Sequence, residues 1–450
     1  MCGRWSVRFS VAAFLCLLGG PHDAWSLAAD TSSWLQLATS GPQPPGSYAH
    51  TAIYDSPFNR MIVFGGAVGR NDVRALSFSG TPQWSLLTPS GTPPAGRIDQ
   101  TAIHDVGRSR MIVFGGNVGG SFLNDTWELS LSSTTAWNQL LPIGYPPGPR
   151  SDHVAIFDRE HDRMIVFGGL GPTGYLNDVW ELTFSGAPEW IELTPTGTPP
   201  VARGGHCAIW DPVRSRLLVF GGVGGGAYRN DVWALSLSGA PAWTQLAPAG
   251  APPAGRYAAS TIYDPIGDRM ILYGGTYRAG PTSVALDDVW ALSLTGTPAW
   301  TQLEPSGVVP PGRWNHSAVF DSVRYRMVIF AGENPTIFHD TWALTWQSPI
   351  VAVDDAAIAG ARIGPAFPNP SREDVRFDFD LSRAGPVRIE VYDVRGRRVG
   401  RVADGPLQAG PHVGAWSGRS ERGDRLAPGV YVIRFDGPGL RAARRIVLLR

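Results

Sequence analysis

Five arginines and four histidines stand at matched places along this chain. Arg97, Arg150, Arg203, Arg256 and Arg313 each fall eight residues before an aspartate: Asp105, Asp158, Asp211, Asp264 and Asp321. Guanidinium groups arranged in a circle could grip carboxylates or sulfates bidentately. The same groups could instead lock neighbouring loops through backbone carbonyls and the repeated aspartate. Three residues after that position stand His50, His153, His206 and His316, with Gln100 and Ala259 in the two remaining copies. Imidazoles in a circle suggest a metal. However, side chains of such a strand mostly point at adjacent units, and two positions lack an imidazole. No metal site, cofactor or catalytic residue is expected.

The elements that must position these groups repeat six times. Aligned on Asp55, Asp105, Asp158, Asp211, Asp264 and Asp321, each copy has an Arg five residues later, and a Gly pair ten later that reads Ala331-Gly332 in the last copy. A second Asp precedes a closing Trp by twelve residues in five copies (Asp72 to Trp84, for example), and thirteen residues separate each closing Trp from the next Arg position. A unit of about fifty residues, strand-rich and punctuated by Gly and Pro, is the mark of a β-propeller blade. Each unit reads as four strands: one holding Ala-Ile, one ending at Gly-Gly, one with Asp-x-Trp-x-Leu and one with Trp-x-x-Leu. The sixth copy lacks its fourth strand, while an orphan Trp34-Leu-Gln-Leu37 precedes the first. The expected fold is all-β: a six-bladed propeller whose N-terminal strand closes the last blade, followed by a small Ig-like sandwich. Closure of this kind leaves no unpaired edge in the ring. Truncation past Trp34 should destabilise the whole protein.

The units resemble kelch repeats in the Gly-Gly after an apolar strand, the Asp-x-Trp strand and the closing Trp, over roughly residues 34 to 346. Arg74 replaces the Trp of the first copy, Ser47 its Arg, and Ala331 the first Gly of the sixth. Some propellers of this kind, such as those similar to galactose oxidase, are copper radical enzymes. The resemblance then implies a Tyr crosslinked to a Cys, with His and Tyr ligands. Here Cys207 sits in a repeat position filled elsewhere by Thr, Val or Ser, which does not suit a cofactor. No sialidase-type Asp-box and no acid/base pair off the repeat pattern is evident. Trp127, Trp180, Trp233, Trp290, Trp342 and the closing tryptophans read as packing between units.

Composition bounds the partners. The formal net charge is zero, so nucleic acid is not an expected partner. All 38 basic residues are Arg, which fits a high-GC coding bias. Arg4 and Arg8 precede an apolar core, Val11 to Leu18, too short for an anchor, so residues 1–29 read as a secretory signal. Its removal would leave Cys207 alone, hence no internal disulfide. The domain reading is 1–29 signal peptide, 30–348 propeller, 349–365 linker and 366–450 C-terminal sandwich.

That last segment has short alternating strands at regular spacing. It resembles FlgD-type Ig-like domains and type IX secretion sorting domains at Phe367-Pro-Asn-Pro370, Val391-Tyr392-Asp393 with Gly396-Arg397, Trp416, and Ala427-Pro-Gly-Val-Tyr431. The resemblance implies export or surface display. Residues 361 to 450 hold 17 Arg against 10 acids, an excess that could contact anionic envelope polymers or form a solvated face.

In a propeller, the second-to-third and fourth-to-first connections share one end. From the first Gly position to the later Asp the six copies count 7, 10, 10, 10, 14 and 9 residues, and the other intervals are fixed. Length variation therefore falls on that end, where a scaffold would carry binding. Candidates are Asn117, Tyr175, Tyr228, Tyr277, Arg278 and Glu333, with the five arginines beginning strands on the same end. The longest loop is 276–286. The reading is a monomeric, secreted or surface-displayed module that binds an extracellular protein or glycan. The alternatives are a carbohydrate-active enzyme of oxidase or mutarotase type and a structural envelope component. Two converging carboxylates in the central channel would favour the enzyme.

Overall fold

The computed structural model describes residues 32–346, apart from 68 and 133, and residues 362–448 with short gaps. The proposed signal segment and residues 349–361 of the proposed linker lie outside the described residues, as do Phe367, Pro368 and Pro370, the 394–397 turn, Ala427 and Pro428; within the expected linker, Arg362–Ile363 instead pairs as a strand with the C-terminal sheet. Among the described residues there is no α-helix, and no helix long and apolar enough to cross a membrane.

Residues 32–346 form six antiparallel sheets built on one plan. In the second, Thr101–Asp105, Arg110–Val118, Ser121–Ser130 and Ala136–Leu140 pair in chain order. The hairpin between first and second strands is fixed locally. Arg110 Nε donates to Asp105 Oδ2 at 2.8 Å, and the same bond recurs from Arg60 to Asp55 and from Arg269 to Asp264, both at 2.7 Å. The residue before that Arg adopts positive φ, as at Asn59, Ser109 and Asp162, where a short polar side chain is well tolerated. The second strand is buried on both faces: Met111, Ile112, Val113 and Phe114 are all fully buried.

The sixth sheet takes its fourth strand from the N-terminus. Ser32–Gln36 pairs antiparallel with Thr341–Trp346, with Trp34 opposite Leu344. The first strands of the six sheets neighbour one another in a closed cycle, the last beside the first. An aromatic cycle runs outside them. Trp137 packs on Phe64, Trp190 on Phe114, Trp243 on Phe167, Trp300 on Phe220, Trp34 on Tyr273 and Trp84 on Phe330, with ring centroids 4.8–5.1 Å apart. Each closing Trp thus binds its sheet to the preceding one, and Trp34 supplies the sixth link. These sheets make a β-propeller. The Trp two residues after the second Asp works differently: Trp127 and Trp180 are half-buried and donate Nε1 to Asp125 and Asp178 of their own sheets at 2.7 Å.

Farther along, a three-stranded sheet (Arg362–Ile363, Val375–Leu381, Gly410–Trp416) and a four-stranded sheet (Gly385–Asp393, Arg398–Leu407, Gly429–Gly437, Leu440–Leu448) share one core. Alternation along Val375, Phe377, Phe379 and Leu381 points every second residue inward.

Candidate functional site

The segment entering each first strand does two jobs. Its Arg anchors the segment inside the sheet. Arg97 Nη1 and Nη2 pair with Asp125 at 2.6 and 2.8 Å, Nη1 also donates to the Gly115 carbonyl, and Nε donates to the Ala95 carbonyl at 3.0 Å. Arg150, Arg203, Arg256 and Arg313 repeat the set on Asp178, Asp231, Asp288 and Asp340. All five are at most 1% exposed. The structure therefore places them as internal ties and leaves no guanidinium presented to a ligand. Of the two sequence readings, the locking one describes their geometry. Burial alone would raise the Asp125 carboxyl, but Arg97 and Trp127 outweigh it and hold the acid below its ordinary range.

The first sheet carries Ser47 in place of that Arg and Arg74 in place of the Trp. Arg74 Nε donates to Asp72 Oδ2 at 2.6 Å, the oxygen that the Trp uses elsewhere. The two departures compensate: one residue supplies both the missing charge and the missing N–H. Ser47 Oγ is left buried without a partner, beside a cleft lined by Pro44, Pro45, Asp72 and Phe330.

Two residues after the Arg position, the chain makes its closest approach across the propeller. Ala49, Asp99, Asp152, Gly205, Ala258 and Asn315 all have φ between 54° and 59°. This left-handed turn aims each N–H at the neighbouring carbonyl. Asp99 donates to Ala49, Asp152 to Asp99, Gly205 to Asp152, Ala258 to Gly205, Asn315 to Ala258 and Ala49 to Asn315, at 2.8–3.1 Å. Six hydrogen bonds close on themselves and form a floor. The strain of five non-glycine residues at positive φ, of order 1 kcal/mol each, is offset by this ring.

The side chains on the floor do not repeat. Asp99 and Asp152 are adjacent. Tyr257 lies across Gly205, where a Cβ would fall inside the tyrosine ring, and its hydroxyl donates to Asp152 Oδ1. Ser151 Oγ donates to Asp152 Oδ2 at 3.1 Å. Asn315 Nδ2 donates to Glu333 Oε1 at 3.1 Å. Burial, then Asp152 and Glu333, push the Asp99 carboxyl well above the usual range. Burial raises Asp152, and the Tyr257 and Ser151 hydroxyls partly offset it. Burial followed by Asp152 and Asp99 raises the Tyr257 phenol. Among the described residues neither aspartate is paired with a cation.

Two of the expected site residues join this group: Glu333, and Tyr175, which is 39% exposed and packs near Gly204 and Asp152. Tyr228 lies near Tyr175. Asn117 sits at a hairpin tip, accepting from the Gly120 N–H at 2.8 Å. Asn117 also pairs through its backbone with Ile98, the residue before Asp99; Tyr277 and Arg278 belong to the Thr276–Ala279 hairpin, Arg278 exposed, and no described side-chain contact joins these three to the floor. Sequence reasoning missed Asp99, Asp152, Tyr257 and Asn315. The available signal was variation beside a fixed Arg: position Arg+1 reads Tyr, Ile, Ser, Gly, Tyr, Trp and position Arg+2 reads Ala, Asp, Asp, Gly, Ala, Asn, while the Arg itself is kept in five copies.

The four histidines line the sheet interfaces. Burial drives His50 and His206 down to about 3, so each is neutral. His50, His153 and His316 share their Nε2 with Ser317, Thr101 and Ser260 of a neighbouring sheet at 2.6–2.8 Å.

A model of the KLHDC2/KLHL20/DRC7 kelch-repeats domain matches residues 15–153 and 132–332. The chain belongs to the kelch-repeat family. This kelch propeller is 30% identical over 226 residues to a putative adagio-like protein 2 of Oryza sativa subsp. japonica, covering 47% of this chain and 34% of that protein. It is 33% identical over 193 residues to the serine/threonine-protein phosphatase BSL2 of Arabidopsis thaliana, covering 42% and 18%. The chain thus spans a third or less of the length of these relatives. Among solved structures, a fungal alcohol oxidase of the AA5 family in complex with copper superposes with a TM-score of 0.50 at 14% identity, over 89% of this chain and 85% of that one. That likeness concerns the fold. Among the described residues no three His, Cys, Asp or Glu side chains are placed to hold a metal ion. Cys207 is buried, its thiol donating to the Phe220 carbonyl at 3.6 Å, and burial pushes it up to about 12. These residues do not fit a copper centre.

Proposed function

We propose that this kelch propeller is a secreted or surface-displayed binding module that engages a protein or glycan through the end where its loops vary. In this reading the six sheets are six blades. Residues 1–29 direct export, the linker runs from 349 to the strand Arg362–Ile363, and the C-terminal sheets form an Ig-like domain of the FlgD or sorting type. The observation that carries the reading is the axial floor: six residues in one backbone conformation bear unlike side chains, grouped with Glu333 and Tyr175 from the variable loops. A scaffold that repeats its strands and internal ties and varies these positions is set up for recognition. Kelch propellers in general serve as protein-interaction modules, which supports a protein partner first. The test is a screen of residues 30–348 on glycan and envelope-polymer arrays, with a pull-down from producing cells. Capture lost on replacing loop 276–286 by a short turn, or on altering Tyr175, supports the reading. Capture indifferent to both would refute it. Deleting 366–450 should change cell fractionation, and an unchanged pattern would reduce that segment to an accessory domain.

One observation favours the enzymatic alternative. Asp99 and Asp152 are neighbours on the floor, the carboxyl of the first without a hydrogen-bond partner among the described residues and that of the second accepting from a phenol, an arrangement suited to acid/base chemistry on a sugar. Its test is the rate at which reducing sugars interconvert between anomers, which Asp152→Asn should abolish. A structural envelope role gains support if neither binding nor turnover is found.

A further inference from the structure

Resting on the binding reading, we infer that the axial mouth seats one basic side chain, a lysine or an arginine, presented by a protein partner. The closed ring of backbone hydrogen bonds from Ala49 round to Asn315 gathers these six residues around one axis, and an occupant entering from the loop end meets that ring. Three acids surround that point. Asp99 and Asp152 stand on the floor, and Glu333 is tied down through Asn315. The Asp99 carboxyl lies deep in the protein yet keeps solvent contact, as the bottom of an open mouth would. Among the described residues it has no hydrogen-bond partner. The charged groups that bear on it, Asp152 and Glu333, are both acids.

A carboxyl buried beside like charges is held neutral, and a cation seated against it stabilises its ionised form. Among the described residues the fold supplies none here, although Arg97, two positions before Asp99, is paired with Asp125. The same three acids are not arranged as a metal site, which leaves an organic cation. Tyr175, partly exposed beside Asp152, and Tyr257, laid across Gly205, give the mouth aromatic walls of the kind that receive ammonium and guanidinium groups. Asp99 then gains the donor it lacks.

The test uses the full chain and four probes: N-acetyl-lysine methylamide, N-acetyl-arginine amide, and their neutral isosteres built on norleucine and citrulline. Saturable binding is followed by calorimetry and by melting-temperature shift at about 0.01–0.05 M ionic strength, where screening is weakest. The charged probes should bind at least tenfold more tightly than the isosteres. Asp99→Asn should weaken them about tenfold without lowering the melting temperature, since it deletes an unpartnered acid. Asp152→Asn also loses the Tyr257 bond, so Asp99→Asn carries the decision if that second variant folds poorly. Equal binding of charged and neutral probes, no saturable binding, or binding unaffected by Asp99→Asn overturns the inference. Failure is distinguishable from failure of the wider reading. Partner capture that depends on loop 276–286 but not on Asp99 sinks the basic-side-chain seat alone. Probe binding without any capture sinks the wider reading.

Discussion

Val154→Thr should stabilise this protein, against the usual effect of placing a hydroxyl at the edge of a core, where Val154 is half-buried. His50, His153 and His316 each share Nε2 with a Ser or Thr at the start of the first strand of a neighbouring sheet. That Ser or Thr lies opposite the aromatic residue ending the second strand: Thr101 pairs with Phe114, Ser260 with Tyr273 and Ser317 with Phe330. The histidine ring meets the same aromatic edge-on at 5.1–5.3 Å, and His206 does so on Phe167. The residue opposite Phe167 is Val154. Accordingly both ring nitrogens of His206 are buried without a partner. A buried hydroxyl without a partner costs about 1–3 kcal/mol, and a satisfied hydrogen bond contributes about 1 kcal/mol net. Thr at 154 is nearly isosteric with Val and brings its hydroxyl to the orphaned imidazole, so the expected gain is about 1 kcal/mol. For a domain of this size that is roughly 2 °C in melting temperature. Urea unfolding of Val154→Thr, of the control Val113→Thr and of the pair combined with His206→Ala measures it. Val113→Thr, fully buried with no such neighbour, should lose about 1–3 kcal/mol. A Val154→Thr loss as large as that of Val113→Thr, or a gain that survives His206→Ala, would refute the reasoning.

Further outcomes follow from the same geometry. Ser47→Arg alone crowds a second guanidinium onto Asp72, and Arg74→Trp alone removes its countercharge. Together they rebuild the tie of the other five sheets, so a double-mutant cycle should show favourable coupling of about 1–2 kcal/mol. The buried neutral histidines make the fold acid-sensitive. Their folded values lie below the unfolded value, so the unfolded chain binds more protons, and stability is lost as pH falls from about 6.5 towards 3 by about 1.4 kcal/mol per pH unit for each histidine. Urea midpoints between pH 7 and 4.5 check this; a flat profile would mean that the imidazoles protonate in place. Trp34→Ala should cost about 3–5 kcal/mol, and a chain starting at Gly41 should melt well below one starting at Asp30. Equal melting would exclude the N-terminal strand as the closing element.

Much of the frame was legible because it is local and repeated. The Asp-to-Arg hairpin, the buried second strand and the closing Trp recur at fixed spacing, and the missing fourth strand of the last copy pointed to Trp34. Repetition also made the arginines conspicuous, but conspicuousness misled. A group present in nearly every copy serves what every copy needs, here the tie from Arg97 to Asp125 and its counterparts. Departures carried more information than the consensus, though their meaning was hidden. Ser47 and Arg74 stand 27 positions apart, and only pairing across the sheet shows that they answer one another. Asp99, Asp152 and Tyr257 are separated by whole repeats, so no window along the chain joins them. Ring closure brings them together, because the left-handed turn at Arg+2 sends six remote backbones into a single hydrogen-bonded circle. The sequence by itself determined the repeat, the strand pattern and the sheet-to-sheet contacts, since those follow from spacing. Which side chains share the axis, and that its acids meet no cation there, was decided by the tertiary structure alone.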